Sequence, residues 1–236
     1  MKTTIKTAIA LLLLAVLVGA CAKQNQHNTT IVSGLFDVTD KYISKPDATK
    51  IITFYDFDKD KWNGGTFNFS AITKVSLNPV AYNEVGEANP LLSNEFDRNK
   101  EIEQFKKKMT EEIARVEQTE CGQSNSSIYQ PMVVELNRLA HSVADRKILL
   151  VYSDLMENTT LVSYYDKDLT TLIREPEKLT EKLLKIQAID DLTGIQIFFI
   201  FQPQNTKGDA VYNLVSGFYK SLFESKNAKV TITASL

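Results

Sequence analysis

The stretch TIVSGLFDVTDK, residues 30–41, begins as an apolar run and ends in oxygen-bearing side chains, those of Asp37, Thr39 and Asp40. A buried parallel strand has a nearly continuous apolar sequence, so this run predicts a central strand of a sheet. In an open α/β sheet, ligands bind just beyond the carboxyl ends of such strands. The sequence therefore places a candidate site at these three side chains.

The rest of the chain alternates further strand patterns with helical ones. Apolar runs or strict alternation predict strands at 66–72, 147–152, 195–201 and 230–233. Apolar residues at steps of three and four predict helices at 50–57, 95–118, 132–143, 169–187 and 211–222. Residues 82–94 are predicted to be a loop, 161–165 an extended piece, and 74–77 a continuation of the second strand or a short edge strand. This order predicts a three-layer α/β/α, doubly wound fold with a mostly parallel sheet of about six strands.

The N-terminal residues have the pattern of a signal peptide. Two lysines and an apolar run at residues 8–18 precede small residues and Cys21, and the run is too short to span a bilayer. The tetrad Val18-Gly19-Ala20-Cys21 resembles the lipobox of bacterial lipoproteins, which implies cleavage after residue 20 and lipidation of Cys21. The alternatives are an ordinary secretory signal with a chance cysteine, or a permanent anchor helix.

This resemblance predicts a division of the chain into three parts and a subcellular location. Residues 1–20 are the predicted lipoprotein signal peptide, residues 21–29 a flexible polar tether and residues 30–236 one α/β domain. The implied location is the cell envelope, with the chain anchored to a membrane through lipidated Cys21. Ala22 after the cysteine, rather than Asp, favours the outer membrane of a Gram-negative bacterium by analogy with other lipoproteins.

The charge and the reactive side chains exclude several classes of function. Residues 1–20 hold two of the 27 Lys and Arg residues and none of the 29 Asp and Glu residues, so the remainder has a net charge of about −4. That balance argues against nucleic acid as a partner, which requires a basic surface. The two histidines, His27 and His141, make His-ligated zinc and His-based catalysis improbable. If Cys21 is acylated, Cys121 is left as a lone cysteine, either a buried, inert thiol, which is the preferred interpretation, or a reactive one.

The order of the elements and the residues at the strand ends resemble a von Willebrand factor A (VWA) domain over residues 30–236. In that family a first strand ends in Asp-x-Ser-x-Ser, a later loop supplies a Thr, and the fourth strand ends in an Asp. Here Asp37-Val38-Thr39 matches the first three positions, Ser124 lies where the Thr would come, and Asp154 matches the fourth-strand Asp. The pair of motifs, DVTD and YSD, is also similar to a pair in VWA-like lipoproteins of gut bacteria.

The resemblance implies a metal-ion-dependent adhesion site for Mg²⁺ or another divalent cation. Its ligands would be Asp37, Thr39, Ser124 and Asp154, with Asp40 as a spare carboxylate in place of the missing second serine. Hard cations prefer such oxygen ligands. Lys41 stands at the position of that serine. An ammonium there either competes with the cation or pairs with the aspartates in a metal-free cluster.

Three functions are compatible with these features. The preferred interpretation is a lipid-anchored cell-envelope module that binds a protein partner through this site. The second is a structural subunit of an envelope or mobile-element apparatus, with Gly64-Gly65 and residues 82–94 as contact surfaces. The third is a Mg²⁺-dependent phosphoryl hydrolase with Asp37 as nucleophile, although Thr39 stands where the haloacid-dehalogenase pattern needs an Asp. No catalytic residue is predicted.

Overall fold

A computed structural model describes residues 27–39, 43–72, 81–118 and 126–236, which contain six strands and six α-helices. The strands are β1 Thr29–Asp37, β2 Gly64–Ile72, β3 Ala81–Val85, β4 Arg146–Tyr152, β5 Ile195–Ile200 and β6 Lys229–Thr233. The helices are α1 Ala48–Ile51, α2 Glu95–Glu117, α3 Tyr129–Ala140, α4 Lys167–Arg174, α5 Pro176–Ile186 and α6 Thr206–Glu224. A 3₁₀ helix, Ile52–Tyr55, continues α1.

All six strands belong to one sheet, in the order β3-β2-β1-β4-β5-β6. Every neighbouring pair is parallel except β2 and β3, which are antiparallel. The strand order reverses at β1 and β4, and this switch point is where a doubly wound sheet leaves a crevice for ligands. The predicted mostly parallel sheet of about six strands is confirmed.

Helices cover both faces of the sheet. On the face that carries Gly65, the 3₁₀ helix approaches closely, and its Tyr55 packs edge-on against Phe105 of α2, with ring centroids 5.0 Å apart. On the opposite face, the ring centroids of Phe199 in β5 and Phe223 in α6 lie 6.3 Å apart. On that face too, Arg138 of α3 donates a hydrogen bond to the hydroxyl of Ser33 in β1. The predicted three-layer α/β/α arrangement is therefore confirmed.

The register of β1 positions the candidate site. Phe36 lies opposite Tyr152 of β4, and Asp37 lies opposite Ile72 of β2. Since parallel strands end at the same edge of a sheet, the residues that follow Tyr152 meet Asp37 at the carboxyl edge.

The predicted loop at 82–94 is partly wrong, because Ala81–Val85 forms the edge strand β3. Its polar residues conceal the strand pattern. Asn83 points inward and is buried because its side-chain amide donates a 2.8 Å hydrogen bond to the carbonyl of Phe105. An apolar residue would normally mark that inward position in a sequence.

Two predicted helices differ from those in the structure. The helix predicted at 169–187 is divided into α4 and α5 at Glu175 and Pro176. A proline has no N–H to continue a helix but fits the first turn of a new one. The helix predicted to carry Val143 on its apolar face ends at Ala140, and Val143 is fully exposed.

Shorter segments also depart from their predicted form. Residues 50–57 are not one helix but α1 followed by the 3₁₀ helix. The piece at 161–165 does not join the sheet, although an isolated bridge pairs Asn158 with Ser163. The predictions for residues 74–77 and Cys121 lie outside the described residues.

The described residues begin just before β1. The ring nitrogen Nδ1 of His27 lies 2.7 Å from Oδ2 of Asp60, and the amide of Asn28 donates to the side chain of Asn63. β1 starts at Thr29, one residue before the predicted start of the domain. None of the helices in the described ranges combines the length and the apolar character needed to cross a membrane.

Gly34 tests how tightly the centre of the sheet is packed. A Cβ at this position would lie 2.2 Å from a ring carbon of Phe69, which is fully buried. We expect Gly34→Ala to lower the free energy of unfolding by about 1–3 kcal/mol, as overpacked cores do. Urea denaturation measures this change.

Gly217→Ala is the matched control, because a Cβ there meets no heavy atom within 4 Å. Gly217 lies inside α6, where alanine stabilises a helix by up to about 1 kcal/mol relative to glycine. Equal effects of the two substitutions would contradict the close packing of β1 against Phe69.

Candidate functional site

Asp37 is the centre of the candidate site. It is the last residue of β1, at the switch point of the sheet, and only 1% of its surface is exposed. A carboxylate removed from water in this way requires hydrogen-bond donors around it.

Hydroxyl and amide groups from three separate segments supply those donors. The Oδ1 atom of Asp37 accepts hydrogen bonds from the amide and the hydroxyl of Thr39, at 2.9 and 2.6 Å. The Oδ2 atom accepts one from the hydroxyl of Ser153 at 2.9 Å, and the hydroxyl of Ser126 lies 3.5 Å away. The carboxylate thus gathers three hydroxyl groups at the carboxyl edge of the sheet.

A turn after β4 brings Asp154 to the same edge. The Oδ1 atom of Asp154 accepts a hydrogen bond from the amide of Met156 at 2.9 Å, and the Ser153 hydroxyl accepts one from the amide of Leu155. Leu155 has a φ of 61°, in the left-handed region that leucine rarely adopts, and it is fully buried. Such strain costs on the order of 1 kcal/mol and is often found at functional sites.

Glu157 ties this turn to the start of α3. Its Oε2 atom accepts hydrogen bonds from the amides of Ile128 and Tyr129, at 2.8 and 2.7 Å, and the residue is 3% exposed. The amide of Asn158 donates to the carbonyl of Ser126 at 2.8 Å. Glu157 and Asn158 therefore fix the segment that carries the Ser126 hydroxyl.

Glu157 also caps α3 from a distant part of the chain. Three serines precede this helix, at 124, 126 and 127, and serine is a common helix cap. The cap position is instead Ile128, whose side chain makes no hydrogen bond, so neither Ser126 nor Ser127 caps the helix. Ser124 lies outside the described residues. The amides are satisfied by a carboxylate 28 and 29 residues away in the chain.

Burial raises the pKa of Glu157 to about 7. The negative charge of Asp37 also raises it, while the two backbone amide donors oppose the change. The folded chain therefore holds a proton on this carboxyl group at a pH where an exposed glutamate is ionised.

A buried tyrosine, Tyr212, lies close enough to Asp154 to be affected by its charge. Burial, and the charge of Asp154, raise the pKa of the Tyr212 hydroxyl. Within the described ranges this hydroxyl has no hydrogen-bond partner, although Tyr212 is only 4% exposed. An unsatisfied buried donor is costly, so it marks a position that favours an oxygen atom of a ligand or of water.

The donor set is the kind that a hard cation takes. The carboxylates of Asp37 and Asp154 and the hydroxyls of Thr39, Ser126 and Ser153 are all oxygen ligands, and Mg²⁺ commonly takes only one or two protein carboxylates. No cluster of three or more His, Cys, Asp or Glu side chains suited to a metal occurs in the described part of the chain. A cation here would depend on two carboxylates, hydroxyls and water.

The structure brings together part of the predicted site. Asp37 and Thr39 are hydrogen-bonded, and Asp154 lies at the same edge of the sheet. The predicted ligands Ser124 and Asp40, as well as Lys41 and the lipidation site Cys21, lie outside the described residues.

Three contributors to the site were missed by the sequence analysis. Ser153 had a usable signal, because it directly follows the strand that pairs with β1. Ser126 lies two residues beyond the serine that was chosen. Glu157 had no signal, since its role depends on how the turn after β4 folds.

Comparison with known proteins adds no identification. No protein-family model matches this chain, and no curated protein matches it significantly.

The raised pKa of Glu157 predicts a pH-dependent stability. A carboxyl group with a folded-state pKa above its unfolded value of about 4.5 stabilises the chain fully at low pH. That stabilisation is lost as the pH rises towards about 7, by up to about 3 kcal/mol. We expect Glu157→Gln, which keeps an oxygen acceptor but cannot ionise, to remove this loss. Urea denaturation from pH 5 to pH 8 measures it.

At each pH, the free energy of unfolding of the wild type is subtracted from that of the variant, because the contributions of the other titrating groups cancel in this difference. Glu177→Gln, an exposed change on α5, is the control and should leave the pH profile unchanged. A Glu157→Gln profile parallel to that of the wild type would show that Glu157 does not titrate in this range.

Proposed function

We propose that this chain is a lipid-anchored binding module of the bacterial cell envelope. It engages a protein partner at the edge where β1 and β4 end, through a degenerate metal-ion-dependent adhesion-type site. The observation that carries the proposal is the gathering of the Thr39, Ser126 and Ser153 hydroxyls around the buried carboxylate of Asp37.

The resemblance to a VWA domain supports this proposal. The Asp-x-Thr motif at the end of β1 and the aspartate after β4 correspond to family positions. Ser126 offers a hydroxyl from the segment before α3, where the family has its Thr and where Ser124 was expected. The proposal needs only one hydroxyl from that segment.

The proposed cation is Mg²⁺ or a similar divalent ion. Asp37, Asp154, Thr39 and Ser126 would hold it, directly or through water. When bound, it would supply a positive charge at the edge of the sheet that attracts an acidic group of the partner. The Tyr212 hydroxyl, buried near Asp154, would donate a hydrogen bond to the same group or to a bound water.

Lys41 defines a metal-free form of the same proposal. A unit positive charge near 4 Å from a carboxylate interacts by about 4 kcal/mol at a surface-like dielectric. Paired with Asp37 and Asp154, the Lys41 ammonium would replace the cation, and the partner would then bind by hydrogen bonds and shape.

The sequence favours binding over phosphoryl transfer. The haloacid-dehalogenase pattern requires an Asp two residues after the nucleophile, and Thr39 stands at that position after Asp37. The structural-subunit hypothesis uses the same edge as a permanent contact. Co-purification from native membranes distinguishes it from a module that binds reversibly.

A divalent cation should stabilise the chain through the carboxylates at this edge. At about ten times its Kd, a cation adds about 1.4 kcal/mol to the stability, a rise in Tm of about 3–6 °C. We expect Mn²⁺ or Mg²⁺ to give such a rise in the wild type, and Asp37→Asn and Asp154→Asn to abolish it. Differential scanning fluorimetry with and without the cation measures the rise for each variant separately.

Asp58→Asn is the control for this measurement. Asp58 is exposed and lies near the amino end of β2, away from the edge that carries Asp37. The control should keep the full rise in Tm. Absence of a rise in the wild type, or an equal rise in all variants, would remove the cation from the proposal and leave the metal-free form.

The lipid anchor has its own test. In a Gram-negative host supplied with labelled palmitate, the wild-type chain should incorporate the label, and Cys21→Ser should not. Acyl chains contribute about 0.8 kcal/mol of membrane affinity per buried CH₂. Cys121→Ser changes the other cysteine of the chain and should be labelled like the wild type. Labelling of Cys21→Ser, or its loss in Cys121→Ser, would contradict lipidation at Cys21.

A further inference from the structure

A second surface lies along the outer edge of β3, away from the Asp37 site. β3 pairs with β2 on one side, and no strand of the described chain pairs with its other side. The unpaired N–H and C=O groups of such an edge are a template for an added strand.

A groove of about 760 Å³ follows this edge. One wall is the chain from Asn83 to Asn89. The other wall begins at Asn94, the cap residue of α2, and continues along that helix to Lys108. Grooves between an edge strand and a helix are suited to an extended peptide, which gains main-chain hydrogen bonds from the strand and side-chain contacts from both walls.

The groove is held rigidly by Arg98. This side chain is 2% exposed, and its guanidinium donates to the carbonyls of Lys61, Asn63 and Gly86. Three contacts to the backbone fix the position of α2 relative to the end of β3. A preformed groove reduces the entropy lost on binding.

Exposed apolar side chains occur in the turn before α2 and in its first turn, and one of them, Leu92, lines the groove. Leu91, Leu92 and Phe96 are 91%, 87% and 76% exposed. The turn that presents them is ordered, because Asn89 accepts hydrogen bonds from the amides of Leu91, Leu92 and Ser93. Clusters of exposed apolar residues next to polar ones are typical of protein contact surfaces.

The charges around the groove select the partner. Four exposed acidic residues line it, Glu84, Glu87, Asp97 and Glu101, against one exposed basic residue, Lys108. The second basic residue, Arg98, is buried and pairs with Glu101 at 3.0 Å in addition to its contacts with backbone carbonyls. The side chains that line the groove therefore carry a net charge of −2, from four acidic and two basic residues. An acidic groove repels anionic surfaces and attracts cationic ones.

We propose that this groove binds an extended basic segment of a partner protein, which adds a strand to the outer edge of β3. Basic side chains of the segment face the acidic residues of the groove, and an apolar side chain covers Leu92. The site is separate from the carboxyl edge that carries Asp37, so it is a second point of contact for a partner.

The probe for this proposal is a fluorescein-labelled octapeptide of alternating lysine and valine. Its binding to the full chain in a non-ionic detergent is measured by fluorescence anisotropy. Two control peptides are measured in the same way: one with glutamate in place of every lysine, and one with proline in place of two central valines. We expect the lysine–valine peptide to bind at least about tenfold more tightly than either control. The proline version keeps the charge but cannot pair fully with a strand.

Two pairs of variants locate the binding surface. Glu87→Lys should weaken binding by about fivefold, whereas Glu177→Lys, the same charge change on α5, should not. Leu92→Ser should weaken it similarly, and Ile173→Ser, which changes another exposed apolar residue, should leave it unchanged. All four positions are exposed, so these substitutions leave the core intact.

Several results would overturn the proposal. Equal binding of the basic and proline peptides would exclude strand addition, and equal effects of Glu87→Lys and Glu177→Lys would exclude the acidic groove. Self-association in analytical ultracentrifugation that Leu92→Ser alone removes would assign the surface to a second copy of the chain. Binding to phosphatidylcholine vesicles that Leu92→Ser alone weakens would assign it to a membrane.

Discussion

The parallel pairing of β1 with β4 is the constraint on which the candidate site depends. The two strands belong to different halves of the doubly wound sheet, so the segments that follow them diverge and leave a crevice. Because Phe36 lies opposite Tyr152, Asp37 and Ser153 are the first residues beyond the paired stretch. The 2.9 Å hydrogen bond from the Ser153 hydroxyl to the Asp37 carboxylate links the ends of the two strands and holds the carboxylate in place.

Two buried carboxylates share the edge, and each depends on donors from distant parts of the chain. Asp37 is satisfied by side-chain hydroxyls, and Glu157 by the first amides of α3. The negative charge of Asp37 raises the pKa of Glu157, so the two groups are coupled. The turn after β4 therefore has two effects on the site. Its Asn158 amide holds the segment that carries Ser126, and its Glu157 adds a second buried carboxyl group whose pKa depends on Asp37.

The two proposed binding surfaces, the Asp37 site and the acidic groove, lie at different edges of the same sheet. The Asp37 site lies where strands end, and the acidic groove lies along the side of β3. Each is organised by one buried charged residue, Asp37 or Arg98, and each of these residues is hydrogen-bonded to groups far away in the chain. Burying a charge is favourable only when such partners are in place, so both surfaces require the fold to be complete.

The sequence by itself determined the layered α/β fold and the position of Asp37 at the end of its first strand. Apolar runs and helical periodicity are local patterns, and they survive in the sequence whatever the distant contacts are. β3 was missed because a side-chain hydrogen bond, rather than an apolar residue, satisfies its inward position at Asn83.

Only the tertiary structure decided which polar groups surround Asp37. Ser126 and Ser153 are 89 and 116 residues away from it in the chain, and Glu157 reaches α3 across 29 residues. A serine or a glutamate has the same local pattern whether it is exposed or buried at a site. Its role is set by the donors and acceptors that folding brings near it, and no local pattern encodes those.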